Sequence, residues 1–205
     1  MVFLESLESR LFLSATPAQV SAALKVIKTQ GSVVTANLKV LDKMGRSDFA
    51  VVAADVKRLK ATKTQASLGK AANSAGKSLV STLSKDLASG ASSINKLVSR
   101  LVADEKKLTK TPASATLRAR VSADNSSLTS ALGAFRSKLS ADSDSGAVTT
   151  ALNAIATANS SDAKTGTDVT TAETDISDNL DTFTTSVTTY TSAVAALQAL
   201  YASPA

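Results

Sequence analysis

The sequence predicts an all-α protein, an elongated antiparallel bundle of long helices that pack in the manner of a coiled coil. Apolar residues recur at alternating spacings of three and four along most of the chain, which is the pattern of a helix that faces another helix. Composition agrees, since Ala, Ser and Thr make up 90 of the 205 residues and aromatic residues only 3%. Small side chains favour closely apposed helices, whereas alanine is depleted in strands.

The first sixteen residues, MVFLESLESRLFLSAT, differ from the rest because they are rich in Leu and Phe. They do not read as an ordinary secretory signal. Glu5 and Glu8 stand where such a signal carries Lys or Arg, and the apolar run Leu11–Leu13 is too short. The segment 1–16 is therefore interpreted separately from the helical body, residues 17–205.

The letters LESRLFLSA, residues 7–15, resemble the LEPR-XLL motif, a short signature near the start of many large exported or surface proteins of planctomycete-type bacteria. Ser9 stands in place of the motif's Pro, and Phe12 in place of its usual Leu. The residues that match the motif are Leu7, Glu8, Arg10 and Leu13.

Two interpretations of this segment stay open. The resemblance implies a sorting tag, and with it an exported or cell-envelope location, for which a cytoplasmic location is the alternative. In a purely structural interpretation, Phe3, Leu7 and Leu11 form an amphipathic turn that caps the bundle. Neither interpretation says what the body of the protein does.

The first helix is predicted over about residues 17–44. Thr16 can cap its start, Pro17 suits the first helical position, and Gln19 completes a capping box with Thr16. Gly45, followed by a short turn at residues 46–47, is expected to end it. The residues at heptad spacing in this stretch are Val20, Leu24, Ile27, Val34, Leu38 and Leu41.

A second pattern, from Asp48 to Lys110, is expected to form two helices, at about 48–68 and 77–110. Its apolar positions share one heptad phase, but Gly69 and Gly76 fall where the large apolar residues give out. Each glycine costs about 1 kcal/mol in a helix interior. The sequence therefore predicts a break or hinge at residues 69–77.

The third pattern predicts a helix over about residues 112–140. Thr111 and Pro112 give the cap and first-position signals of its start. The polar run at residues 142–146 then predicts a loop.

The last pattern repeats every seven residues from Val148 to Leu197. Asn159, Asp162 and Gly166 interrupt it. We therefore expect two helices, at about 147–160 and 167–202, with a break or hinge near 160–167.

Charge is divided unevenly along the chain, whose formal net charge is +6. Residues 1–140 hold 22 Lys and Arg against 9 Asp and Glu, whereas residues 141–205 hold one Lys against eight acids. The acidic C-terminal helix is expected to lie along basic helices, which would give an internally neutralised bundle.

Two basic motifs invite a binding function. Residues 71–78, AANSAGKS, satisfy a permissive phosphate-loop pattern, but the preceding residues are polar and could not form the buried strand that such a loop needs. Arg58 with the lysines at 57, 60, 63, 70 and 77 could form a basic stripe. Nucleic-acid binding would need stacking aromatic rings. The nearby Phe49 belongs to a core-facing apolar row and is therefore not expected to stack on bases. The favoured interpretation of residues 71–78 is a helix break, and that of the basic stripe is a solvated helix face.

Catalysis is poorly supported, because the chain has no Cys and no His. The commonest general base and the commonest metal ligand are thus missing. Asp142 and Asp144 lack the spaced ligands and the closing Glu of a calcium loop. No apolar run reaches the length needed to cross a bilayer. We expect no enzyme activity, no cofactor, no metal and no transmembrane segment.

The sequence thus predicts a non-catalytic structural or interaction protein, a spacer or scaffold. One alternative is an amphipathic helical protein on a lipid or granule surface, since the composition loosely resembles apolipoprotein-like and phasin-like proteins. A basic nucleic-acid-associated protein is another. The apolar rows are two positions wide per heptad, which suits a helix partner better than a lipid surface. No motif identifies a protein partner or indicates self-association.

Overall fold

The computed structural model of the chain describes residues 15–59 and 63–201. No strand occurs in these two ranges, and the long helices pack against one another, which confirms the predicted all-α bundle. The helices of the described residues are, in chain order, α1 (Pro17–Arg58), α2 (Lys63–Leu108), α3 (Ala115–Asp142), α4 (Gly146–Ala158) and α5 (Ala163–Ala199).

The bundle divides into two compact units, each built from several parts of the chain. Of the described residues, the first unit consists of 15–33, 87–137 and 187–201. It contains the start of α1, the end of α2, most of α3 and the end of α5. The second unit consists of residues 34–59, 63–86 and 138–186, and so contains the rest of α1, the start of α2, the end of α3, α4 and the start of α5.

The core of the first unit is built from the predicted apolar rows. Phe135 and Tyr190 meet edge to face, with ring centroids 6.1 Å apart, in a geometry that aromatic pairs favour. Because each fully buried Leu, Val or Ile side chain contributes about 1.5–3 kcal/mol, stability is spread along these rows. Other buried side chains of this core are Ile27, Ile94, Val98, Leu101, Val121, Leu128, Leu132, Val194 and Leu197.

The second unit has a core of the same kind. Its largest fully buried side chain is Phe183, on the apolar row of α5. The row of α4 lies in the same core and consists of Val148, Leu152 and Ile155. The other members include Val34, Leu38, Leu41, Val52, Val56, Leu83, Leu139, Val169, Ile176 and Leu180.

The predicted start of α1 is confirmed by a reciprocal pair of capping hydrogen bonds. The backbone N–H of Gln19 donates to Thr16 Oγ1 at 3.2 Å, and the backbone N–H of Thr16 donates to Gln19 Oε1 at 2.7 Å. Such a capping box satisfies two of the N–H groups that a helix start leaves without a partner.

Helix α1 runs through Gly45, so the helix end predicted at this glycine and the turn at residues 46–47 are wrong. Gly45 is buried. It occupies a core-facing position of the apolar row, between Leu41 and Phe49. The row continues in phase through Val52 and Val56, and its burial outweighs the roughly 1 kcal/mol of helix propensity that a glycine loses.

Helix α2 runs without a break through residues 69–77, so the hinge predicted there is wrong. The helices predicted at 48–68 and 77–110 do not occur as such, because α1 ends at Arg58 and α2 begins at Lys63. The core-facing positions of the stretch are taken by small residues, including Gly76. The ring of Phe49 lies against Gly76, where a Cβ atom would overlap the ring. The glycine therefore serves close helix packing.

The first unit repeats this arrangement with different residues. The ring of Phe135 on α3 lies against Gly90 on α2, again so closely that a Cβ on the glycine would overlap it. On α1, a Cβ at Gly31 would lie 3.6 Å from the ring of Tyr190, which is an ordinary contact. In both units, then, α2 accepts a phenylalanine ring at a glycine.

The start of α3 is at Ala115, so the start predicted at Pro112 is wrong. Ser114 takes the capping role, and its Oγ accepts a hydrogen bond of 3.3 Å from the backbone N–H of Leu117. Thr111 does not cap the helix, because its hydroxyl donates back to the carbonyl of Lys107 at 3.1 Å. Arg118 holds the intervening turn by donating to the carbonyl of Pro112.

The two remaining connections lie close to their predicted positions. Helix α3 ends at Asp142 and α4 begins at Gly146, so the polar run 142–146 contains the expected loop. Helix α4 ends at Ala158 and α5 begins at Ala163, which places the interruption at residues 159–162 and not at 160–167. Gly166 is therefore part of α5.

Replacing Gly76 with Ala is expected to lower the free energy of unfolding by about 1–3 kcal/mol, because the added methyl group meets the Phe49 ring in a packed core. Gly45→Ala is the matched control. Its Cβ would lie 3.7 Å from Phe49 Cε2, an ordinary contact, so this change should raise the free energy of unfolding by up to about 1 kcal/mol. The free energies of unfolding of both variants are measured by urea unfolding followed by circular dichroism. A Gly76→Ala chain as stable as the original would contradict the packing.

Candidate interaction surface

The residues that match the sorting motif, Leu7, Glu8, Arg10 and Leu13, lie outside the described residues. The sorting interpretation therefore stays a prediction. The candidate features of the structure lie in the helical body.

The phosphate-loop-like residues 71–78 lie inside α2. Ala72 and Gly76 are buried, whereas Lys77 and Ser78 are exposed. In a continuous helix the backbone N–H groups donate to carbonyls of the preceding turn. They cannot also converge on a phosphate, as a phosphate loop requires. This stretch is a helix interior.

A cluster of ion pairs in the second unit joins α1 to α5. Lys164 Nζ lies 2.8 Å from Asp55 Oδ1 and 2.6 Å from Asp168 Oδ2. Asp55 is only 3% exposed. Burial opposes its ionisation, but hydrogen bonds, led by the one from Lys164, outweigh burial and hold the pKa of Asp55 below its ordinary value. The cluster thus supplies an ionised carboxylate whose oxygens are already engaged.

Asp162 caps the start of α5 beside this cluster. Its Oδ2 accepts hydrogen bonds from the hydroxyl of Thr165 at 2.6 Å and from the backbone N–H of Thr165 at 3.0 Å. Arg58 Nη2 lies 2.5 Å from the same oxygen. These donors, the Thr165 hydroxyl foremost, lower the pKa of Asp162 to about 2. The sequence showed Asp162 only as a polar interruption of an apolar row, and its role is to cap the helix.

Buried carboxylates in the first unit join α2 to α3. Asp104, which is 1% exposed, lies 2.7 Å from Arg120 Nη2 and 3.2 Å from Lys107 Nζ. Asp124 pairs with Arg100. Removing one partner of such a pair leaves a buried charge, which is costly. The pairs therefore hold the two helices in register.

Glu105 is a further buried carboxylate of this unit, and no described Lys or Arg forms an ion pair with it. Its Oε2, like one oxygen of Asp104 and one of Asp124, has no hydrogen-bond partner among the described residues. Burial raises its pKa. Burial and the charge of Glu105 together raise the pKa of Tyr201 to about 12. Glu105 therefore holds its proton to a higher pH than an exposed glutamate does.

Asp142, considered with Asp144 as a cation ligand, is engaged with Asp86 in the second unit. A hydrogen bond that Asp142 donates to Asp86 raises the pKa of Asp142, and the same bond together with the one from Lys138 lowers the pKa of Asp86. Asp144 accepts a hydrogen bond of 2.8 Å from the backbone N–H of Gly146. Residues 15–59 and 63–201 contain no cluster of three or more potential metal ligands.

None of the helices in the described ranges combines the length and the apolar content that a membrane span requires.

The large apolar side chains that remain exposed in the described part of the chain all lie on α1. They are Val26 and Val33 in the first unit and Val40 and Val51 in the second, and they are between 39% and 48% exposed. Within each unit the two valines are separated by nearly whole turns at 3.6 residues per turn, so each pair lies on one face of its part of α1. We call these four residues the outer valine row. Other uncharged positions on or beside this face are the half-buried Met44 and the exposed residues Ala22, Thr29, Ala36, Ser47 and Ala54.

One side of this row is basic in the second unit. Lys39, Lys43, Arg46 and Lys57 are exposed on α1, roughly a quarter to a third of a turn from the valines. Asp42, beside them, is paired with Arg46 at 2.8 Å. We call these four cations the basic border.

Beyond the basic border, α1 and α2 enclose an open groove of about 440 Å³ in the second unit. Its rim carries Arg46 from the border together with Lys70, Asn73 and Lys77 of α2. We call it the α1–α2 groove. Its floor is formed by the small or buried residues Phe49, Ala50, Ala53, Ala66 and Gly69.

The predicted basic stripe is therefore divided. Lys57 belongs to the border, and Lys70 and Lys77 to the groove rim. Arg58 is drawn into ion pairs with carboxylates of the second unit. The side chains of Lys60 and Lys63 lie outside the described part.

No protein-family model, no curated protein and no solved structure matches this chain. Its function is therefore argued from the surface of the chain itself.

The sequence did not lead to a prediction of the outer valine row, because the periodicity argument assigned α1 a single, core-facing apolar row. The signal was nevertheless present. Val26, Val33 and Val40 repeat every seven residues and lie out of phase with the core row of Ile27 and Val34.

Replacing Asp162 with Asn is expected to destabilise the chain at neutral pH. The pKa of Asp162 is about 2 in the folded chain, below the ordinary value of 3.8. Its ionised form therefore contributes stability above about pH 4, and this contribution is lost as the pH falls through about 2. Urea unfolding at a series of pH values should show the two chains converging over this range.

The matched control for this prediction is Asp178→Asn, which removes an exposed acid of the same helix. At neutral pH it should unfold close to the urea concentration of the original chain, because it removes no capping hydrogen bond. If Asp162→Asn unfolds with the same pH dependence as the original chain, the capping role of Asp162 is wrong.

Proposed function

We propose that the chain is a non-catalytic structural or interaction protein, a helical scaffold that contacts its partner through the outer valine row and the basic border of α1. The observation that carries the proposal is the concentration of exposed large apolar side chains on one helix face. Single exposed apolar residues are normal on a protein surface, whereas a contiguous set of them marks a contact site.

The buried charges support a scaffold better than an active site. The carboxylates of Asp55, Asp104 and Asp124 are engaged by Lys or Arg side chains. Because their oxygens are already engaged by cations, these carboxylates are poorly placed to abstract a proton from a substrate. Their contribution is to hold neighbouring helices in position.

An exported or cell-envelope location is part of the proposal. It is supported by the resemblance of residues 7–15 to the LEPR-XLL motif, through Leu7, Glu8, Arg10 and Leu13. A sorting segment of this kind would deliver the bundle to a compartment where α1 meets its partner.

A protein of a lipid or granule surface is the second candidate, favoured by the lysines that flank the valine row. Helices at such surfaces combine an apolar face with basic residues. Here the apolar face is narrow and carries valine in place of the Trp, Phe and Leu that interfacial helices use. A protein partner therefore fits the surface better.

Photo-crosslinking in the cells that produce the protein tests the contact surface. A benzophenone amino acid at Val33, Val40 or Val51 is expected to give one discrete protein adduct, because these side chains point to the partner. The matched control is the same amino acid at Ser177, an exposed position on α5. Adducts of equal yield at Ser177, or none on α1, would contradict the proposal.

Cell fractionation with sequencing of the mature N-terminus tests the location. The protein is expected in an exported or envelope fraction, and Glu8→Ala with Arg10→Ala should leave it in the cytosol, whereas Ser6→Ala should not. A cytosolic protein with residues 1–16 intact would remove the sorting proposal and leave the interaction proposal standing.

A further inference from the structure

We infer that the partner of this surface is an acidic amphipathic helix of another protein, laid along the second-unit part of α1. This inference rests on the function proposed above and adds the chemistry of the partner. The surface consists of Val40 and Val51, the basic border and the α1–α2 groove.

The shape of the surface favours a helix. Val40 and Val51 are about 16 Å apart along α1 at 1.5 Å per residue, and Ser47 lies between them on the same face. Side chains of this size let two helix axes approach to about 8–10 Å. The row is the contact for the apolar face of an added helix, and Ala50, about a quarter of a turn from the row, lies at the edge of that contact.

The charge of the surface fixes the charge of the partner. Exposed cations line it from both helices, with the basic border on α1 and Lys70 and Lys77 on α2. The acids of α1 offset only part of this charge. Asp42 is paired with Arg46, Asp48 is partly buried, and Asp55 is buried and paired with Lys164. Opposite charges steer association and like charges oppose it, so the partner must carry acidic residues beside its apolar row.

A second copy of the chain does not supply such a helix. Two α1 helices placed face to face would bring their basic borders together. Asp178 and Asp181 are exposed on α5, but in the described ranges large apolar side chains are exposed on α1 alone. The acidic face therefore lacks an apolar row that could meet Val40 and Val51.

Nucleic acid and anionic lipid match the surface less well. A polyphosphate chain would bind the cations, but it has no apolar groups that could pack against Val40 and Val51. Phe49, the aromatic residue of the groove, is only 7% exposed and offers no stacking platform. A bilayer favours a wide apolar face, and here it is a single row.

The test measures binding of a designed peptide of about four heptads, with Val and Ala on one face and Glu on both sides of it. The matched peptide carries Lys in place of Glu. Each is labelled and titrated with the full chain, and binding is followed by fluorescence anisotropy. The Glu peptide should bind and the Lys peptide should not, and added salt should weaken binding because it screens exposed charges.

Charge reversal locates the site. Changing Lys39, Lys43 and Lys77 to Glu should weaken binding of the Glu peptide by about tenfold to hundredfold. The same chain should gain binding of the Lys peptide, which loss of folding could not produce. The control is the same change at the exposed first-unit lysines Lys96, Lys106 and Lys110, which should leave the affinity within about twofold of the original.

The contribution of the valines is tested separately. Val40→Ala with Val51→Ala should weaken binding of the Glu peptide at low and at high salt, because apolar contact is not screened. An unchanged affinity would mean that charge alone recruits the peptide, which contradicts an apolar docking row.

Several outcomes overturn the inference. These are no binding of the Glu peptide, equal loss when the first-unit lysines are reversed, or stronger binding of an oligonucleotide or of phosphatidylglycerol vesicles than of the peptide. If crosslinking at Val51 yields a protein adduct but the Glu peptide does not bind, the proposed function stands and the partner chemistry is wrong. If both experiments fail, both proposals fall.

Discussion

The packing of phenylalanine rings on glycines of α2 sets the spacing of the helices in both units. Phe49 lies on Gly76 in the second unit, and Phe135 lies on Gly90 in the first. A chain with only 3% aromatic residues has few large side chains with which to fill a core. Placing each ring over a residue without a side chain lets the backbones approach, so that small residues such as Ala72 also become buried. The many alanines and serines of the sequence are consistent with the same close approach.

Close approach brings charged groups together as well, and the buried ion pairs follow from it. Asp104 and Asp124 each meet an arginine of the neighbouring helix in the first unit, and Asp55 meets Lys164 in the second. A mismatch of one turn would leave these carboxylates buried without a cation, which costs more than the pairs themselves contribute. The apolar rows bring the helices together, and the ion pairs fix how far they slide along each other. Ser114 and Asp162 then fix where α3 and α5 begin.

Half of the large apolar residues of α1 are buried in the cores, and the outer valine row consists of those that are exposed. Its presence cannot be explained by the stability of the fold, since Val40 and Val51 are each 46% exposed. It lies beside the basic border, of whose four cations only Arg46 pairs with a described carboxylate of α1. Apolar contact and charge are therefore offered together on one side of α1. This combination is the physical basis for proposing a helical, acidic partner.

The sequence by itself determined the helical class, most of the core-facing rows and the capping box of Thr16 and Gln19, because these depend on periodicity and on contacts within one turn. In the first half of α2 the row was wrong, since Ala72 and Leu83 are buried and Val80 and Leu87 are only half-buried. The sequence could not decide the fate of Gly45 and Gly76. Helix propensity opposes a glycine by about 1 kcal/mol, and only the rings and side chains brought in by the fold show that packing outweighs this. The outer valine row depends on the fold in the same way. Val33 and Val34 carry identical side chains at neighbouring positions, and only the packing of helices against one face of α1 decided that Val34 is buried and Val33 is exposed.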